Sequence, residues 1–103
     1  VGISAKYDKS IRNAGSVSGI STDNGAVSLT YSDNYDITMK GNGVLTLNDV
    51  LVGQSGILVV RNANKITGFA ANLKFRKIPT DLQSVEIFSY FKYAADAIAM
   101  GRA

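Results

Sequence analysis

The sequence predicts an all-β protein: one antiparallel, jelly-roll-like β-sandwich of about eight short strands, preceded by an extended N-terminal arm. Three observations predict it. From Ala26 onward, short runs of alternating apolar and polar residues follow one another: AVSLTY, YDITMKG, VLTL, ILVVR, KITGF, NLKF, VEIFSYFKY and AIAM. Almost every run is closed by Gly, Asn, Asp or Pro, residues that supply tight-turn backbone or interrupt a ladder. No segment of similar length carries the i, i+3, i+4 spacing of an amphipathic helix.

Residues 1–22 (VGISAKYDKSIRNAGSVSGIST) are rich in Ser, Gly and Ala and lack sustained alternation. They read as the arm, with a short strand at residues 16–20. The Val at position 1 fits removal of an initiator Met or of a longer leader. The sandwich takes residues 23–103. Asp23-Asn24-Gly25 turns the chain into a strand with Val27, Leu29 and Tyr31 on one face and Ser28 and Thr30 on the other. After Ser32-Asp33-Asn34, Tyr35, Ile37 and Met39 alternate with Asp36, Thr38 and Lys40. Gly41-Asn42-Gly43 leads into a strand whose inward face is Leu45 and Leu47. Such half-buried strands suit antiparallel sheets with one wet face.

Residues 50–56 read as a longer connection containing Gly53 and Gly56. The continuous apolar run at 57–60 predicts a central strand buried on both faces. Asn62-Ala63-Asn64 predicts a hairpin loop into residues 65–69. Leu73 and Phe75 mark a short strand, ended by Pro79, which cannot donate to a ladder. Residues 84–93 form the strongest strand. Val85, Ile87, Ser89, Phe91 and Tyr93 make one row, and Glu86, Phe88, Tyr90 and Lys92 the other. Aromatics on both rows predict a core on one side and a partner or loop on the other. Phe88, Tyr90, Phe91 and Tyr93 are therefore the candidate subunit-interface residues. Residues 97–100 close the sheet.

The 103 residues make one domain, and a hydrophobic fraction of 46% is that of an ordinary globular protein. The chain has no His and no Cys. This removes disulfides, thiolate nucleophiles, thiolate metal sites and any side chain that ordinarily titrates near neutrality. The carboxylates do not cluster, and neither a phosphate-binding loop nor a G-x-S-x-G elbow is present. No enzymatic activity, cofactor or metal is expected. No apolar run reaches the ~18 residues of a membrane span, so membrane insertion is not expected either.

The formal net charge is +3. Lys6, Lys9 and Arg12 face only Asp8 and mark the arm as a docking element for an acidic partner. Lys74, Arg76 and Lys77 form a second basic group. Charge of this kind more often guards a solvated edge strand than binds a ligand. Nucleic acid is not an expected partner: helix-turn-helix, zinc-finger and RNP patterns are all missing. Gln54, Asn62 and Asn64 are the candidate ligand loop, since amide groups beside an exposed aromatic such as Tyr90 suit a sugar.

The run from Val27 to Phe75, with VEIFSYFKY near the end, resembles the small β-sandwich domains of tailed-bacteriophage virion proteins found in tail fibres, head fibres and capsid decoration proteins. The resemblance is carried by Gly41-Asn42 with Leu45 to Leu47, Gly53 to Gly56, Ile57 to Val60, Ile66-Thr67, Lys74-Phe75 with Pro79, and Tyr90-Phe91. It covers about three-quarters of the chain and implies a virion location and a homo-oligomer, frequently a trimer. It implies no reaction. The expected function is a non-enzymatic structural subunit of a phage particle, a capsid decoration, cement or head-fibre protein. It would dock on a major capsid or tail protein through its arm and oligomer interfaces. The alternative is a receptor-binding tail-fibre module for host surface glycans.

Overall fold

The computed structural model describes residues 17–103, which fold into two β-sheets around one core. Nine strands alternate with tight corners: β1 (Val17–Thr22), β2 (Ala26–Ser28), β3 (Asn34–Met39), β4 (Gly43–Asn48), β5 (Ser55–Arg61), β6 (Ile66–Phe69), β7 (Leu73–Phe75), β8 (Val85–Ala94) and β9 (Ala97–Arg102). One three-residue 3-10 turn, Ala63–Lys65, precedes β6. The large sheet has the order β1-β3-β5-β8-β9-β7 and the small one β2-β4-β6. The all-β class expected from the alternation is the class observed.

The pairing direction is a correction. Of the seven strand pairings among the described residues, five are parallel; only β5–β8 and β8–β9 are antiparallel. Parallel neighbours need a crossover. Here the other sheet provides it. The chain crosses from β1 to β2, returns as β3, crosses to β4, returns as β5 and crosses to β6. It winds as three stacked coils. Ile20 pairs with Ile37, 17 residues on, and Ile37 with Val60, 23 residues on. The β8–β9 hairpin then covers the open side of β5, and β7 lies beyond β9.

Corner chemistry explains why the coils stack. Thr22 Oγ1 accepts the Gly25 N–H at 3.0 Å, and Asn24 Oδ1 accepts that of Ala26 at 3.0 Å. The next corner lies directly on this one: Lys40 N donates to Thr22 O at 2.8 Å. A Cβ on Gly43 would collide with the carbonyl of Asn24, so only glycine lets the two backbones approach. Asn62 closes the third corner in the left-handed region (φ 57°) and donates from Nδ2 to Met39 O at 3.2 Å. The hairpin expected at 62–64 is therefore a corner between sheets, and β6 pairs with β4.

Inward rows fill the space between the sheets. Tyr35, Ile37 and Met39 of β3, Leu45 and Leu47 of β4, Leu58 and Val60 of β5, and Phe88 and Tyr90 of β8 are all buried. Burial of each such side chain contributes about 1.5–3 kcal/mol. Phe69, Phe75 and Phe88 meet edge to face, with ring centroids 4.7–6.0 Å apart. Three local expectations are corrected. Residues 17–22, assigned to the arm, form β1. Tyr31, expected inward, is 86% exposed, because β2 ends at Ser28. The run at 57–60 buries only Leu58 and Val60; Ile57 stays largely exposed and Val59 half-buried on the outer face.

Candidate interaction surface

The sequence-selected residues fall in four different places. Lys6, Lys9 and Arg12 lie outside the described residues. Phe88 and Tyr90 point into the core of the chain itself (0% and 3% exposed), so neither presents a surface to a neighbouring subunit. The alternation of β8 decides this, because Glu86, Phe88 and Tyr90 share the inward row. Phe91 and Tyr93 are on the exposed row, Tyr93 at a bulge between Lys92 and Ala94.

Gln54 is a second correction. It is 1% exposed and serves as an internal staple rather than a ligand contact. Its Nε2 donates to Leu29 O (3.0 Å), Ser32 O (3.3 Å) and Tyr90 Oη (3.1 Å), and its Oε1 accepts the Leu51 N–H (3.0 Å). Tyr90 Oη in turn donates to Asp33 O at 2.7 Å. These bonds tie the corners of successive coils to β8. Asn62 and Asn64 are exposed, but they follow β5 whereas Gln54 precedes it. Seven strand residues at ~3.3 Å each put roughly 23 Å between them. The expected loop cluster is not formed.

Geometry instead singles out the outer face of the large sheet. Val59 stands opposite Ile87, Arg61 opposite Val85, Ile57 opposite Ser89 and Ser55 opposite Phe91. Across the next ladder Phe91 faces Ala99, and Ser89 faces Gly101. Ile57, Val85, Ile87, Phe91 and Tyr93 are each 42–52% exposed. Elsewhere the outward residues are polar or small: Gly19, Ser21, Asn34, Asp36 and Thr38 on β1 and β3, and Ser28, Thr46, Asn48 and Thr67 on the small sheet. The apolar outer surface is confined to β5, β8 and β9. The sequence signal for it was present in the two apolar rows of β8; Ile57 and Val59 were missed because a continuous apolar run reads equally well as a doubly buried strand.

One ion pair borders this face. Arg61 Nε and Nη2 bond both oxygens of Asp36 at 2.9–3.2 Å. Those hydrogen bonds hold the Asp36 carboxyl below its ordinary range and push Arg61 further above its own. At the end of β8, Arg102 grips the largely buried Glu86 carboxylate with two bonds (2.8 and 2.7 Å) and reaches Asp81 at 2.6 Å. The bonds from Arg102 lower the Glu86 carboxyl against the opposing effect of burial, and also lower Asp81.

The two edges of the large sheet differ in charge. β7 carries Lys74 and is followed by Arg76 and Lys77, all exposed, as on edge strands kept from pairing. β1 (VSGIST) carries no charge and no proline. Its described neighbour is β3 alone, and residue 16 adjoins it. Among the described residues no group of three or more acidic, His or Cys side chains converges on a metal-sized site, and no helix is long and apolar enough to cross a membrane. The chain matches no protein-family model, no curated protein and no solved structure.

Proposed function

We propose that this chain is a non-enzymatic structural subunit of a tailed-bacteriophage particle, of the capsid-decoration, cement or head-fibre kind. The observation that carries the reading is the contrast between the two sheet edges. An unguarded edge of parallel strands offers main-chain donors and acceptors for strand addition. It lies where the basic segment containing Lys6, Lys9 and Arg12 joins the sheet. Attachment would use that segment and edge on a major capsid or tail protein, leaving the folded coils as the displayed part. The resemblance of the sequence to virion β-domains supplies the particle, and the missing His and Cys agree with a role without chemistry.

The glycan-binding alternative has less support, because Gln54 is buried and lies far from Asn62 and Asn64. The test is a variant lacking residues 1–16, added to particles stripped of the native protein. Loss of particle occupancy is expected, with an unchanged far-ultraviolet circular dichroism spectrum. Undiminished occupancy would sink the reading.

A further inference from the structure

We infer that the apolar outer face of β5, β8 and β9 is a contact between copies of this chain. The inference stands apart from the docking role, since it concerns a different surface and needs no particle. A strand pairing two layers needs only one apolar face, and the small sheet and β1–β3 obey that economy with polar outer residues. β5 and β8 do not. Ile57, Val59, Val85, Ile87 and Phe91 lie together on the water side. Scattered exposed apolar residues are ordinary, but a contiguous field marks an association site.

Charge, relief and size identify a second copy as the occupant. The charged side chains bordering the field, Asp36 and Arg61, neutralise each other. A copy laid on this face therefore meets no uncompensated charge, whereas an anionic partner would be drawn to Lys74, Arg76 and Lys77 at the far edge. Beside the raised Val59–Ile87 and Phe91 positions runs a low track of Ser89, Ala99 and Gly101. The track is shallow and tight: a Cβ on Gly101 would stand 2.6 Å from Ser89 Oγ. A ridge and a track on one surface are mutually complementary between copies, as closed symmetric assemblies require.

With strands ~4.8 Å apart and ~3.3 Å per residue, the field covers on the order of 400 Å². That is about half of the roughly 800 Å² that each partner contributes to a standard interface. Asn34, Asp36, Thr38 and Arg61 beside it would complete the area as a polar rim around an apolar centre.

The experiment is sedimentation equilibrium of the full chain over a dilution series, with Ile87→Glu, the milder Phe91→Ser, and Thr67→Glu on the opposite sheet as control. Circular dichroism verifies that each variant is folded. The wild type and Thr67→Glu are expected to plateau at the same whole multiple of the single-chain mass. Ile87→Glu should fall to the single-chain mass, and Phe91→Ser should dissociate at higher concentration than the wild type. A wild type that stays at single-chain mass overturns the inference. So does a multiple that both outer-face variants leave intact, or a mass that climbs without plateau. Particle attachment by the residues 1–16 route is untouched by any of these outcomes.

Discussion

Gln54 illustrates how far a side chain's role can lie from its sequence surroundings. Between Gly53 and Gly56, an amide reads as an exposed loop residue. Gly53 adopts a φ of 94°, which swings the chain so that the Gln54 side chain enters the stack of coils, where four partners wait. Nothing local encodes those partners, because Leu29, Ser32 and Tyr90 come from remote parts of the chain. Gln54→Leu keeps the size but strips all four bonds, and should lower stability by about 1–3 kcal/mol. Urea denaturation checks this; a midpoint equal to the wild type's would show the staple to be idle. Asn62 carries the opposite lesson. Its left-handed backbone was legible, but the same chemistry serves a hairpin and a corner between sheets alike.

Among elements, β8 separates what alternation encodes from what it leaves open. A period of two assigns faces, and the inward rows of β3, β4 and β8 fall where the spacing puts them. It says nothing of the direction of the neighbouring strand. Parallel and antiparallel partners take the same alternating residues when one face is wet, so β1, β3 and β5 read as antiparallel and pair in parallel. The two rows of β8 should also respond differently to truncation. Phe88→Ala opens a cavity in the core and should cost about 3–5 kcal/mol. Phe91→Ala, at a dilution where copies are apart, should stay within about 0.5 kcal/mol, as for other surface changes. Chemical denaturation of both variants at that dilution decides; equal losses would mean that Phe91 is supported from within the chain.

For the molecule as a whole, the absence of His leaves no ordinary side-chain titration between about pH 5 and 8. Stability should be flat there. The acid limb belongs to Asp36, Asp81 and Glu86, whose carboxyls are held below their ordinary values of 3.8, 3.8 and 4.5. A carboxyl with a depressed folded pKa binds its proton more readily when unfolded. Its contribution is therefore complete above the ordinary value and drains away as the pH falls below about 4.5 through the folded values. Glu86→Gln should flatten that limb while leaving Asp36 and Asp81 to titrate. Urea midpoints from pH 7 to pH 3 provide the measurement, and an acid slope identical to the wild type's would remove Glu86 from the account.

The hairpin at the chain's end has a further consequence, which concerns time. β8 and β9 hold the shortest-range ladder in either sheet, running from Ala94 with Ala97 to Phe88 with Arg102. Every coil-to-coil ladder must first close a loop of 17 residues or more. Loop closure favours the hairpin as nucleus, with β5 added next and the earlier coils laid on in reverse order. Synthesis runs the other way. A ribosome releases β1 and β2 first and the nucleus last, so this chain completes its sheets only after translation has ended. Substitutions in β9 should then slow refolding, and substitutions in β1 should chiefly hasten unfolding. Stopped-flow kinetics showing the reverse would place the nucleus in the coils.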